Sequence, residues 1–268
     1  MEWNKDLPPE KAEAYKKSLQ RGAVGHYTDE SEQAPVCAMI EFKADNFLLD
    51  AGCANGRFLA NAAEGQKFVG MDISAEMLKL ARRDLGRGFF VVGELEHLPF
   101  KEGVFDTVIS SRVLQHIHDQ QLAINELARV AKPGGAVIVL TLNTWTLHCL
   151  YKNIRMSRFV HWIDRPLRKK LNKPNALGWS FAYDNYCSMP ELTRLFRTAG
   201  MRVTGRKGGT IGAPWFFNIP LIMRPMQRFI QPPLRAFFAV CRWVEDRVGG
   251  CFPFTHKLDK IIVKGEKS

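Results

Sequence analysis

The sequence lacks any paired-cysteine motif. Its six cysteines, at positions 37, 53, 149, 187, 241 and 251, include no C-x-x-C pair and no His/Cys group at zinc-ligand spacing. Neither a disulfide framework nor a metal site is therefore signalled, and the thiols read as reduced and intracellular. Long hydrophobic runs are missing as well. No uninterrupted apolar stretch reaches the roughly 18 residues that a membrane-spanning helix needs, and Met1-Glu2-Trp3-Asn4-Lys5-Asp6 lacks the basic-then-apolar layout of a secretory signal. A cytoplasmic protein, soluble or peripheral to a membrane, is the expectation. There is no internal repeat, low-complexity tract or Gly/Ser linker, which favours one domain over several. Acidic residues are in deficit, 27 against 38 Lys and Arg, for a formal net charge of +11. That excess attracts nucleic acid, anionic lipid surfaces or acidic substrates without choosing among them.

What the chain does have is 268 residues and 46% hydrophobic content, enough for one sizeable core with elaborations. From about residue 46 to 142, short apolar runs alternate with helical periodicity. Asn46 to Asp50 reads as a buried strand, followed by a glycine-containing turn and a helix from Arg57 to Glu64. Lys67 to Asp72 is a second strand, and Ser74 caps a helix carrying Met77, Leu78 and Ala81. Phe89 to Val92 and Val104 to Ser110 are the third and fourth strands. A helix from about Asp119 to Ala131 stops at Pro133-Gly134-Gly135, and Ala136 to Leu142 is the fifth strand. Such alternation predicts right-handed βαβ units: an α/β fold with a doubly wound, mostly parallel sheet covered on both faces. Ser188 and Glu191 form a capping box for a helix to Ala199, ended by Gly200. Met201 to Arg206 and Lys257 to Lys264 bring the expected strand count to seven.

The informative stretch is Asp50-Ala51-Gly52-Cys53-Ala54-Asn55-Gly56, leaving strand one. Its glycines allow a tight turn and close backbone approach, and a following helix N-terminus would present N–H groups to an anionic ligand end. A dinucleotide fingerprint begun at Gly52 needs glycines at 54 and 57, where Ala54 and Arg57 stand, so a pyrophosphate is disfavoured. Asp72, at the end of strand two, is placed to accept both hydroxyls of a ribose. Asp50 is expected to fix the turn by accepting its backbone N–H groups.

These blocks resemble the class I S-adenosylmethionine-dependent methyltransferases, especially the broad group that includes the ubiquinone and menaquinone ring methyltransferases. The likeness runs through Leu48 to Gly56, Val69 to Ser74 with Met77, Gly93 to Phe100, Phe105 to Ser110, Leu114 to Ile117 and Glu126 to Gly135. It implies a Rossmann-like seven-stranded core with lid-like insertions and S-adenosyl-L-methionine as cofactor, leaving S-adenosyl-L-homocysteine as product. It further implies that Asp72 holds the ribose, that Ile73 and Met77 pack on adenine, and that Glu94 and Leu95 meet its amino edge and face. Gly52, Cys53, Ala54, Asn55 and Gly56 would take the methionine part, with Ser110 and Ser111 near the sulfonium. Relatives commonly carry Asp where Glu94 stands.

A sulfonium is an activated methyl donor, so few catalytic side chains are needed. His116 is the candidate general base, set against the plainer reading that it bonds loop backbone. Cys53 reads as a packing residue, because nothing places a base beside it, and Asp106 as structural. Four regions are expected: a helical segment 1–45 over the cofactor site, the core 46–142, a basic and aromatic lid 143–187, and the C-terminal part of the sheet, 188–268, with an apolar insertion 208–256. Within the last of these, a helix is expected to begin at Pro232-Pro233, with Leu234, Phe237, Phe238, Cys241 and Val244 at helical spacing. Aromatic and basic residues in both insertions favour a small-molecule acceptor of hydrophobic or lipid-linked type taken up at an anionic membrane surface. An RNA acceptor, or a cofactor-binding protein without turnover, stays open.

Overall fold

In the computed structural model, residues 7–19, 22–144, 185–209, 227–248 and 258–268 are described here. Strand β1 (Leu48–Ala51) is buried along its whole length. β2 (Phe68–Asp72) and β4 (Phe105–Ser111) are nearly so, as strands covered on both faces must be. β3 (Phe89–Val92) is more open because it forms an edge, and β5 (Ala131–Leu142), β6 (Met201–Gly209) and β7 (Lys260–Lys267) complete a seven-stranded sheet. The order is β3-β2-β1-β4-β5-β7-β6. β7 runs antiparallel to both β5 and β6, and the pairs among β1 to β5 are parallel.

Strand alternation divides the core in two. Leu49, Ala51, Val108, Val137 and Val139 face α4 (Gln120–Val130) and α5 (Met189–Thr198), against Ile124, Leu127, Leu192 and Phe196. Leu48, Phe68, Ile109, Ile138 and Ile262 pack with Val36 of α2 (Gly22–Cys37) and Leu78 of α3 (Ala75–Leu85) on the other side. α1 (Pro9–Leu19) rests on α3, with Leu7 and Ala12 against Met77 and Leu80. α6 (Gln227–Val248) rests on α2, where the Tyr27 and Phe238 rings stack with centroids 4.3 Å apart.

The helix caps form as expected. Ser74 Oγ accepts the Met77 N–H, and Ser188 and Glu191 make the reciprocal capping box. Four expectations need correction. The helix expected over Arg57 to Glu64 is a turn and a short 3-10 segment, Leu59–Asn61. There the Asn61 amide donates to the carbonyls of Arg57 and Phe58, both at 3.3 Å, competing with helical pairing. β5 begins at Ala131, five residues early, with the Pro-Gly-Gly stretch absorbed as an irregularity opposite Phe105 and Thr107. β7 lies three residues later than expected, because its register with β5 pairs Leu142 with Lys260. α6 begins at Gln227, so Pro232 and Pro233 lie inside it instead of opening it. Most of the lid 143–187 and of the insertion 208–256 falls outside the described residues.

Candidate functional site

The strand order reverses between the parallel neighbours β1 and β4, and in such sheets the crevice beyond the strands' carboxyl ends is where ligands bind. Two segments flank it here: the turn Gly52 to Gly56 after β1, and Ser110-Ser111 at the end of β4 with Arg112-Val113 beyond it. They touch directly. Gly52 has φ +91°, and a Cβ there would stand 2.0 Å from Val113 Cγ2. A Cβ at Gly56 (φ +77°) would meet Leu85 Cδ1 at 2.8 Å. These glycines are required by left-handed backbone and by neighbouring side chains of the protein itself.

The turn is held otherwise than expected. Pairing of β1 with β2 continues past the strand, so the N–H groups of Gly52 and Cys53 donate to the Met71 carbonyl at 2.7 and 2.9 Å. The Ala54 N–H donates to Asp72 Oδ2 at 2.8 Å, and the Ser74 N–H to Asp72 Oδ1 at 2.9 Å. Asp50, expected to hold the turn, has neither carboxylate oxygen bonded among the described residues. Alternation along β1 puts it on the Leu48 face, away from those N–H groups. Burial pushes its carboxyl up to about 7, with Arg57 opposing and the Asp72 charge adding. Asp72 is raised too, by burial, against the N–H groups of Ser74, Ala54 and Ile73.

The remaining expected residues are distributed as follows. Met77 is buried beneath α1 beside Ala54, and Ile73 is half-buried. Glu94 bridges to His97 through backbone, and Leu95 is buried in the core with Met71 and Leu98. The hydroxyls of Ser110 and Ser111 and the side-chain oxygen of Asn55 are buried and unbonded among the described residues. Cys53 is buried, its thiol held well above the ordinary range by burial, as suits a packing residue. His116 ends a 3-10 turn, with Nε2 lying 3.2 Å from the Gln115 amide nitrogen. The Gln115 oxygen accepts from Thr141 Oγ1 at 3.3 Å, which turns its amide N–H toward His116. The N–H of Phe47 and the Lys132 ammonium both bond Asp106, in the structural role assigned to it.

Sequence reading missed a charged cluster at this edge. Glu32 of α2 is buried and paired with Arg57, with Arg112 at 2.8 Å and with Lys260 at 2.8 Å; Arg57 also reaches Asp29 at 2.6 Å. Burial opposes ionisation of Glu32, but Lys260, Arg57 and Arg112 together hold its carboxyl well below the usual range. Tyr15 of α1, beside Met77 and Ala54, lies in the field of Arg57, Glu32, Arg112 and Asp72. Only the position of Arg112, directly after Ser110-Ser111, offered a sequence signal.

The crevice thus holds a buried carboxylate and two buried hydroxyls unbonded among the described residues, and Asp72 keeps lone pairs beyond those taken by Ala54 and Ser74. Residues 49–139 match the family model described as a methyltransferase domain. A malonyl-[acyl-carrier protein] O-methyltransferase of Erwinia billingiae is 39% identical over 102 residues, covering 38% of this chain and 41% of that protein. A demethylmenaquinone methyltransferase of Symbiobacterium thermophilum is 28% identical over 182 residues, 61% of this chain and 71% of its own. The chain thus spans about two-fifths of the length of the malonyl-type relatives it matches. A solved S-adenosylmethionine-dependent methyltransferase of Thermotoga maritima shares the fold, with a TM-score of 0.64 at 18% identity over 97% of each chain. Residues 49–139 therefore match a methyltransferase domain, and the chain shares the fold of a solved S-adenosylmethionine-dependent methyltransferase.

Proposed function

We propose that the protein transfers a methyl group from S-adenosylmethionine to a small-molecule acceptor with a hydrophobic or lipid-linked body. The observation that carries the first half is Asp50. A buried carboxylate with neither oxygen bonded among the described residues is costly, and a cationic ligand group relieves that cost. When bound, the cofactor supplies an already activated methyl group. The chain's residues then have to hold, orient and exclude water. Asp50 and the turn Gly52 to Gly56, with Cys53, Ala54 and Asn55, hold the methionine part. Asp72 takes the ribose hydroxyls while keeping the N–H groups of Ala54 and Ser74. Ile73, Met77, Glu94 and Leu95 bound the adenine, and Ser110 and Ser111 lie toward the reacting end. Where the acceptor must lose a proton, His116 accepts it, and uptake at Nε2 requires the Gln115 pair to open. Helices α1 and α2 close the site from above.

The acceptor reading is supported by α6, which exposes Phe237, Val240 and Trp243 at helical spacing, with Arg235, Arg242 and Arg247 on the same helix. Apolar side chains among cations suit an anionic bilayer, from which a lipid-linked acceptor is drawn. No helix among the described residues is long and apolar enough to cross a membrane. The relatives named for malonyl-carrier and demethylmenaquinone methylation are consistent with an acyl or quinone acceptor. The test is incubation of the protein with cell extract and methyl-labelled cofactor, followed by separation into lipid, small-molecule and RNA fractions. Label in lipid supports the reading. Label in RNA alone replaces it with RNA methylation, and cofactor binding without label in any fraction replaces it with a binding protein.

A further inference from the structure

Arg112 takes a left-handed backbone conformation, φ 63°, which among the non-glycine described residues it shares only with Ala54 of the glycine turn. A long side chain there is strained, and the conformation persists only where the surroundings over-determine it. Here they do. The Arg112 N–H donates to the Leu140 carbonyl at 2.8 Å, anchoring it across β4 and β5, and the next residue, Val113, is wedged against Gly52. Arg112 thus stands at the mouth of the crevice, between Ser111 and the glycine turn.

Its guanidinium is half used. Nη1 donates to Glu32 Oε1 at 2.8 Å, while Nε is buried and makes no hydrogen bond among the described residues. That leaves the Nε–Nη2 edge, two parallel N–H groups whose spacing matches the two oxygens of a carboxylate. The other cations of the cluster are committed. Arg57 is held by Asp29 and Glu32 with its side chain 11% exposed, and Lys260 by Glu32 and Ser31 with 4%, whereas Arg112 is 35% exposed. Glu32 and Asp29 thus engage Arg57 and Lys260, with Asp50 also in the field of Arg57, while Arg112 alone keeps an edge unbonded among the described residues.

Resting on the methyltransferase reading above, we propose that the Nε–Nη2 edge of Arg112 binds a carboxylate carried by the methyl acceptor and makes it a specificity-determining residue. The probes are dodecanoate, dodecanol and dodecyl phosphate, each below its micellar concentration. They are titrated calorimetrically into the protein saturated with S-adenosylhomocysteine, as wild type, Arg112→Gln and Arg112→Lys. The expected result is that the wild type prefers dodecanoate to dodecanol by roughly ten- to a hundred-fold, the range of a charge-assisted hydrogen-bonded pair. Arg112→Gln abolishes that preference, and Arg112→Lys, with the charge but no fork, recovers part of it. S-adenosylhomocysteine affinity and melting temperature, measured on all three, show that the variants are folded and loaded. Equal binding of dodecanol, an unchanged preference in Arg112→Gln, or a preference for dodecyl phosphate overturns the carboxylate assignment and leaves the methyltransferase reading standing. Failure of the wild type to bind S-adenosylhomocysteine removes both.

Discussion

The Ala54 N–H and the Asp72 carboxylate are joined by a 2.8 Å hydrogen bond that ties the left-handed residue of the glycine turn to the end of β2. On the function proposed above, one side chain does two things: it shapes the turn for the methionine part and presents its spare lone pairs to the ribose. Asp72→Ala should weaken S-adenosylhomocysteine binding roughly ten- to a hundred-fold, the worth of a charge-assisted hydrogen bond. Asp72→Asn, which can still accept from Ala54, should lose less. Calorimetry on the two variants separates the contributions, and unchanged affinity in both would leave Asp72 a purely structural residue.

Asp50 sets a pH dependence. Its carboxyl is raised from the ordinary 3.8 to about 7, so between those values the folded protein without cofactor holds a proton that the unfolded chain has released. Stability should fall as pH rises through that window, by up to about 1.4 kcal/mol per pH unit. The Asp50→Asn variant should lose this slope and also bind cofactor more weakly. Melting curves at pH 5 and pH 8 check the sign, and a wild type more stable at pH 8 than its Asn variant contradicts the burial argument.

Glu32 is buried beneath three cations, so Glu32→Gln leaves their charge uncompensated. A loss of about 3–5 kcal/mol of stability is expected, as for breaking other buried ion pairs. Denaturant unfolding measures it. A loss below about 1 kcal/mol would mean that the cluster is solvated like a surface pair.

For His116 the expectation is kinetic. With an acceptor that must give up a proton, His116→Ala should leave cofactor affinity intact and lower turnover about 10²–10⁴-fold. Near-normal turnover assigns His116 to the Gln115 and Thr141 hydrogen-bond chain alone.

Membrane contact through α6 should depend on salt. Sedimentation with phosphatidylserine-containing vesicles should bring the protein down at low salt and release it at high salt, each nearby basic side chain contributing about 1 kcal/mol. Trp243→Ala should weaken the association. Protein that stays in the supernatant at low salt removes the membrane from the account.

The strands were legible because each carries its own burial pattern: Leu48 and Leu49 point to opposite faces of the sheet, and both faces are covered. The caps at Ser74 and Ser188 were legible because their partners sit three residues away. The segment after the glycine turn misled, because Phe58, Leu59 and Ala62 have helical spacing while the side chain of Asn61 draws the backbone carbonyls elsewhere. Glu32 carried no local signal at all. Its partners Arg57 and Arg112 lie 25 and 80 residues away, and nothing in a run of α2 distinguishes a buried glutamate from an exposed one. Asp50 was recognised as important, but its task was misassigned. The Met71 carbonyl, invisible in sequence, had already taken the N–H groups meant for it.

β7 follows β6 in the chain yet lies between β5 and β6 in the sheet. As the polypeptide emerges from the ribosome, the parallel half can assemble up to β5, but β5 then waits with an open edge and β6 has no neighbour to pair with. The edge of β5 and one edge of β6 close only when Lys260 to Lys267 arrives, and the same strand delivers Lys260 to Glu32 of α2, more than 200 residues earlier in the chain. Until that strand arrives, the open edges of β5 and β6 are templates for wrong pairing, so assembly is the stage at which this topology is most open to error.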